Sequence, residues 1–129
     1  MMESPDHTFP RAERLRSRKQ IARLFEKGES GVAYPIRYVF LSGEGDATDE
    51  SGLSVLVSVS KRNHKRANVR NLLKRRIREA YRLNRNPLRE ISGDGRFCLG
   101  LLYVAKEIAD YTSIENAVQK IIRNLSERI

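Results

Sequence analysis

The sequence predicts an α+β fold, a two-layer α/β sandwich in which one β-sheet packs against helices. Two observations support this prediction. Apolar residues recur at three- and four-residue spacing in three segments, and shorter apolar or alternating segments lie between them. With 129 residues, of which 40% are hydrophobic, the chain fits one globular domain, residues 1–129, with a single core.

The N-terminal region is predicted to form an arm followed by a short helix. Residues 1–13 are polar and contain two prolines, which indicates a flexible arm. Ser17 and Gln20 form a capping-box pair at the start of the helix, and Gly28 is placed to end it. Apolar residues share one helix face: Ile21, Leu24 and Phe25. Burial trends favour a core position for Phe25.

Three segments are predicted to be strands: residues 36–42, 53–60 and 96–105. In the first, one face carries Ile36, Tyr38 and Phe40, and the other carries Arg37, Val39 and Leu41. In the second, apolar residues alternate with serines, so one face joins the core and the other, broken only by Leu56, is small and polar. The acidic loop 43–52 is predicted to be a hairpin connection that avoids an anionic ligand.

A basic helix is predicted between the second and third strands. Residues 61–89 hold twelve Lys or Arg against one acid, Glu79, so this segment carries +11 and the rest of the chain −2 of the net +9. Asn63 is the predicted N-cap, and Asn86-Pro87 ends the helix. Because this helix joins the second and third strands, these strands are able to pair in parallel.

The basic helix has two sides. One arc of the helical wheel is apolar: Val69, Leu72, Leu73, Ile77, Ala80 and Tyr81. The opposite arc is polar: Arg70, Asn71, Lys74, Arg75, Arg78 and Arg82. Arg76 interrupts the apolar arc, so either it extends its charged end towards solvent or that edge of the apolar face is less than fully buried. The apolar arc indicates that this helix packs into a folded domain, because a free basic tail would not need an apolar side.

A final helix is predicted near the C-terminus. Thr112 and Glu115 form a second capping box at its start. Its apolar stripe consists of Ile114, Ala117, Val118, Ile121, Ile122 and Leu125. The stripe predicts that this helix packs on the same core as the sheet.

Composition narrows the classes of function. The net charge favours an anionic partner, with nucleic acid ahead of an acidic membrane surface. A single cysteine, Cys98, forms no intrachain disulfide, and the N-terminus lacks the apolar region of a signal peptide, so we expect a soluble cytoplasmic protein. No zinc-ligand spacing surrounds Cys98, and no acid–base pair or metal-binding carboxylate cluster is visible, so catalysis by the chain alone is not expected.

The basic arc predicts binding of a polyanion. Charge runs usually mark a solvated face, but here cations recur every four residues with no acids to pair them: Arg66, Arg70, Lys74 and Arg78. Such a helix can enter the major groove of DNA, or serve a ribosomal or general RNA-binding protein. The serine-lined strand face and the aromatic residues Phe25, Tyr38 and Phe40 favour single-stranded RNA.

Two stretches carry a motif: the end of the second strand, at Val59, Ser60, Lys61 and Arg62, and the basic helix, at Arg70, Asn71, Lys74, Arg75, Arg78 and Glu79. This motif resembles that of the bacterial ribonuclease P protein subunit. Weaker matches lie at Phe9-Pro10-Arg11, Arg14-Leu15 and Leu24-Phe25 with Gly28. Two positions depart from the family pattern. Leu72 occupies the third position of its Arg-Asn-Arg motif, and Ile21 occupies the first of two aromatic positions in the opening helix.

The resemblance implies the order α-β-β-β-α-β-α with a left-handed βαβ crossover, the ribosomal protein S5 domain 2-like fold, against the usual right-handed rule. It implies an enzyme that removes the 5′ leader of precursor tRNA, in which a catalytic RNA subunit with Mg²⁺ cleaves and the protein, a monomer in the holoenzyme, binds the leader. The residues implied for the leader cleft are Phe25, Tyr38, Phe40, Arg70, Asn71, Lys74 and Arg78. Those implied for the RNA subunit or flanking phosphates are Lys61, Arg62, Lys65, Arg66 and Arg75.

Overall fold

The computed structural model describes residues 18–42, 53–88 and 97–128 and confirms the mixed α+β fold. The elements follow in the order α1 (Arg18–Lys27), β1 (Glu29–Ala33), β2 (Ile36–Ser42), β3 (Leu53–Val59), α2 (Ala67–Asn84), β4 (Phe97–Tyr103) and α3 (Tyr111–Arg128). This is the order that the resemblance implies. The residue pattern alone misses β1, a five-residue strand that is short and mostly exposed. The predicted arm, Ser17 and the loop 43–52 lie outside the described residues.

The four strands form one sheet in the order β1-β2-β4-β3. β1 pairs with β2 and β2 with β4 in antiparallel fashion, whereas β3 and β4 are parallel, from Leu53 opposite Phe97 to Val59 opposite Tyr103. The parallel pairing across α2 is therefore confirmed. The predicted hairpin between β2 and β3 is wrong, because β4 lies between these strands.

Helices α2 and α3 cover one face of the sheet, here called the core face. α2 contributes the buried residues Leu73, Ile77, Ala80 and Tyr81, and every predicted stripe residue of α3 is buried. They pack with alternate residues of the strands, among them Ile36, Tyr38, Phe40, Val55, Val57, Leu99 and Leu101. Tyr38 crosses over Gly31 so closely that a Cβ on Gly31 would lie 2.5 Å from the tyrosine ring. This face holds most of the buried side chains of the described chain.

Helix α1 lies on the opposite face, here called the α1 face. Leu24 is fully buried against Val39 of β2, and the partly buried Ile21, Leu41, Leu56, Cys98 and Leu102 surround them. The helix ends as predicted, with the Gly28 N–H donating to the Leu24 carbonyl at 2.8 Å. The sheet is therefore covered thickly on one face and thinly on the other.

Both long helices begin differently from the prediction. α2 starts at Ala67 after Arg66, which has extended backbone (φ −82°, ψ 126°) and makes no side-chain cap, so the assignment of Asn63 as N-cap is wrong. α3 is capped by Asp110, whose Oδ1 accepts from the Ser113 N–H at 2.9 Å, in place of the predicted capping box. That hydrogen bond from the backbone of Ser113 is the main reason that the pKa of Asp110 is lowered. α2 ends at Asn84, close to the predicted stop.

Among the helices of the described chain, none is long and apolar enough to cross a membrane.

Candidate nucleic-acid interface

A basic loop, residues 60–66, joins β3 to α2 and is folded by its own first residue. The Ser60 hydroxyl accepts from the N–H of Arg62 at 3.1 Å and from that of Asn63 at 3.4 Å. The Ser60 carbonyl accepts from the N–H of His64 at 3.1 Å. These bonds give a short loop a defined turn directly after the strand.

Two side chains then fasten the basic loop to the segment that follows β4. Asn63 donates from Nδ2 to the Val104 carbonyl at 3.3 Å, and Nε2 of the buried His64 lies 2.8 Å from the Ala105 carbonyl. Because a carbonyl oxygen only accepts, Nε2 of His64 carries a proton. The His64 ring also lies 5.5 Å from the Tyr103 ring, centre to centre. The loop backbone is thus held, while its cations are exposed: Lys61, Arg62, Lys65 and Arg66.

Several arginines of α2 are committed to contacts within the protein. Arg70 Nη1 donates to the carbonyls of His64 and Lys65, both at 2.9 Å. Arg76 donates to the Ala109 carbonyl at 2.6 Å, so this residue, which interrupts the apolar arc, holds α2 to the entry of α3. Arg82 pairs with Glu79 at 2.7 Å, and this hydrogen bond lowers the pKa of Glu79.

The remaining polar residues of the predicted arc face outwards. Asn71, Arg75 and Arg78 are exposed, and Lys74 is half-buried. Lys74 and Arg75 make no hydrogen bond or ion pair within the part of the chain that the structure describes. From residue 61 to residue 78 the sequence contains no acid. The basic loop and this side of α2 therefore form one cationic surface, which we call the basic surface.

The aromatic residues predicted for the leader cleft are separated by the sheet. Tyr38 and Phe40 are only 6% and 8% exposed on the core face, and Phe40 stacks on Phe97 with ring centres 5.5 Å apart. Their predicted stacking on RNA bases is wrong, because neither buried ring offers a face to a ligand. Phe25 is 49% exposed on α1, so its assignment to the core is also wrong, and its ring is accessible.

The structure adds partly exposed residues beside α1 that the sequence prediction did not select. Leu41, Leu56 and Leu102 point to the α1 face and are only partly buried. Ser58, which belongs to the serine-lined face already predicted for single-stranded RNA, is partly buried opposite Leu102. A signal for them was present in the alternation of β2, which placed Val39 and Leu41 opposite Tyr38 and Phe40. Tyr38 and Phe40 were predicted as RNA contacts because they are aromatic, but the structure buries both rings in the core.

No three His, Cys, Asp or Glu side chains lie together as metal ligands among the described residues.

Comparisons with known proteins agree with the fold. The family model for ribonuclease P matches residues 9–126. A ribonuclease P protein component of Porphyromonas gingivalis is 33% identical over 131 residues, which cover 100% of this chain and 94% of the relative. In structure, the chain is similar to the RNase P protein of Staphylococcus aureus, with TM-score 0.65, 21% identity and 88% and 94% of the two chains covered. It is also similar to the RNase P protein of Thermotoga maritima, with TM-score 0.61, 23% identity and 91% and 97% covered.

Fold and site together define a small α+β domain with a cationic surface beside its parallel strand pair, a class suited to polyanionic partners. Within this class, the chain belongs to the ribonuclease P protein component family.

Proposed function

We propose that this protein is the protein subunit of ribonuclease P, the ribonucleoprotein that removes the 5′ leader from precursor tRNA. The protein component name of its relatives supports association with an RNase P RNA and a role in tRNA processing. In this proposal the RNA subunit carries out the cleavage. The protein acts in the cytoplasm as one copy per holoenzyme, binds the leader and supports metal-dependent catalysis.

The observation that carries the proposal is the basic surface. Four loop cations are exposed on a backbone held by Ser60, Asn63 and His64, and the stretch from 61 to 78 has no acid to neutralise them. Cations at a helix N-terminus oppose the helix dipole, so this arrangement is costly in the free protein. A phosphate backbone offsets that cost and releases counterions on binding. We assign the loop cations and Arg75 to the RNA subunit or flanking phosphates.

For the leader itself we propose the α1 face together with the outward side of α2. Phe25 presents an accessible ring on α1, and the half-buried Leu56 and Leu102 offer apolar surface on the sheet face that α1 covers. Ser58 adds a small polar side chain on the same face of β3, the edge strand that leads into the basic loop. An apolar surface flanked by cations suits unstacked bases and their phosphates. Asn71, Lys74 and Arg78 are the contacts that we propose on α2.

In this proposal the described residues do not bind Mg²⁺. The described part of the chain holds no cluster of donor side chains that fits the ion. As the family resemblance implies, we propose that Mg²⁺ is bound mainly by the RNA subunit, and that the protein lowers the Mg²⁺ concentration needed for cleavage by neutralising RNA phosphates.

Reconstitution with a bacterial RNase P RNA tests the proposal. At low Mg²⁺ we expect the protein to raise the rate of precursor tRNA cleavage and the affinity for precursors that carry a leader. Mature tRNA, which lacks the leader, is the matched control and should gain little affinity. Equal enhancement by the protein for both RNAs would point to a general RNA-binding protein, and no enhancement at all would remove the proposed function.

A further inference from the structure

Arg70 lies within the basic surface, and its guanidinium is directed back at the protein's own loop. Its side chain leaves the first turn of α2, and Nη1 donates to the His64 and Lys65 carbonyls at 2.9 Å each. A guanidinium Nη1 carries two hydrogens, so these two carbonyls use both of them. The contact ties consecutive residues of the basic loop to the helix that follows it.

The position of this contact matters because the other side-chain contacts of the loop hold its start and its middle, not the part next to α2. Asn63 and His64 hold its middle to the chain after β4. Towards α2, Arg66 is the N-cap residue and makes no side-chain cap. Arg70 therefore connects the stretch between the His64 anchor and the helix start, which includes the exposed Lys65 and Arg66.

Lys74 and Arg75 provide the contrast. They lie one turn further along the same helix and make no hydrogen bond or ion pair with any described residue. A cation without a partner in the protein can turn to a phosphate at little cost. Arg70 already donates both Nη1 hydrogens to the loop, so only its Nε and Nη2 hydrogens are left for a phosphate, and it cannot turn away from the loop without breaking two charge-assisted hydrogen bonds.

We propose that Arg70 is a positioning residue that fixes the basic loop for RNA, and that it acts through the backbone of His64 and Lys65. The inference deepens the proposed function and rests on it, since the RNA that the loop meets is the RNase P RNA. Neighbouring loop cations repel one another, and a loop free to move would pay an ordering cost on binding. Arg70 orders the loop when the protein folds, so that no further loss of loop entropy accompanies RNA binding.

The first experiment uses the free protein without RNA. Amide hydrogen exchange of residues 61–66 is compared in the wild type, Arg70→Gln and the control Arg75→Gln, with thermal melts to verify folding. We expect loop exchange to rise about tenfold in Arg70→Gln, the equivalent of one ordinary charge-assisted hydrogen bond, and to stay unchanged in Arg75→Gln. Equal exchange in all three proteins would overturn the inference. If Arg70→Gln does not fold, the same comparison is made with Arg70→Lys.

The second experiment measures affinity for RNase P RNA over a series of salt concentrations. Arg75→Gln should reduce the slope of log K against log[salt] by about 0.7 to 0.9, the value for one phosphate contact. Arg70→Gln should lower affinity about tenfold with an unchanged slope, because the loop cations still reach their phosphates once ordered. A slope reduced in Arg70→Gln as in Arg75→Gln, with loop exchange unchanged, would make Arg70 a phosphate contact and overturn the inference.

Arg70→Lys separates charge from geometry. Lysine keeps the positive charge but lacks the forked guanidinium and is shorter, so we expect fast loop exchange and low affinity to persist. Full recovery of affinity would show that charge alone matters and would contradict a positioning role. If the wild type does not bind RNase P RNA, the proposed function fails, and the exchange comparison still decides whether Arg70 orders the loop.

Discussion

The two faces of the β-sheet come from the same strands but differ in how they are covered. On the core face, α2 and α3, each of 18 residues, bury aromatic and aliphatic side chains that include Tyr38 and Phe40. On the α1 face, a helix of ten residues buries Leu24 against Val39 and leaves neighbouring apolar side chains partly exposed. The large rings of β2 therefore stabilise the fold, and the thinly covered face retains partly exposed apolar surface, where we propose that the leader binds. A mutation on the core face should therefore lower stability, whereas a mutation on the α1 face should lower affinity for the leader.

The largest effect is expected from Phe40→Ala on the core face. Removal of a buried ring that stacks on Phe97 should lower the free energy of unfolding by about 3–5 kcal/mol. Chemical denaturation followed by circular dichroism measures this loss. A folded Phe40→Ala protein of normal stability and weakened leader binding would reverse the roles that we assign to the two faces.

The matching change on the α1 face is Phe25→Ala. Because half of this side chain is exposed, stability should change little, whereas affinity for a leader-bearing precursor should fall by about 1–3 kcal/mol, the usual value for one stacked base. Binding titrations with the reconstituted holoenzyme measure the difference. Ile108→Ala, at a residue of similar exposure outside the proposed site, is the control and should leave affinity unchanged. Equal losses in both variants would exclude Phe25 as a specific contact.

The difference between the faces also explains how far the sequence could predict the structure. Alternation in β2 correctly separated Tyr38 and Phe40 from Val39 and Leu41. It could not say which set joins the larger core, because both faces of the strand are apolar and the answer depends on which helices cover them. The insertion of β4 between β2 and β3 is likewise a non-local pairing that no neighbouring residue encodes.

The candidate site shows the same limit at the level of single side chains. Charge and spacing correctly placed Asn71 and Arg75 on the exposed side of α2. Asn63 has the residue type of an N-cap, yet it binds Val104, which is 41 positions further along the chain. Arg76 likewise binds Ala109. Partners so distant in sequence override local preference, and only the folded chain shows which cations are already engaged.

A smaller effect is expected from Lys74→Ala, which compares the basic surface with the rest of the protein surface. Loss of one phosphate contact should reduce the salt-dependence slope of leader binding by about 0.7, the value for one phosphate of a single strand. Affinity measured at several salt concentrations gives this slope. Lys120→Ala on the exposed side of α3 is the matched control and should leave it unchanged. A slope that does not change in Lys74→Ala removes this residue from the phosphate contacts.

The smallest effect is expected at Asp110, which caps α3 and so affects only the helices that cover the core face. Its pKa is lowered chiefly by the hydrogen bond from the Ser113 backbone. The carboxylate therefore stabilises the fold above its unfolded pKa of about 3.9, and this contribution is lost as the pH falls through the lower folded value. Asp110→Asn keeps a good capping residue but removes the titration. In thermal melts the wild type should be slightly the more stable protein at pH 7. The difference should shrink as the pH falls below the unfolded pKa of about 3.9 and vanish once the pH lies below the folded pKa. If the melting temperatures of the two proteins differ by the same amount over this whole range, the cap does not depend on charge. Ionisation of Asp110 would then not contribute to the stability of α3 on the core face.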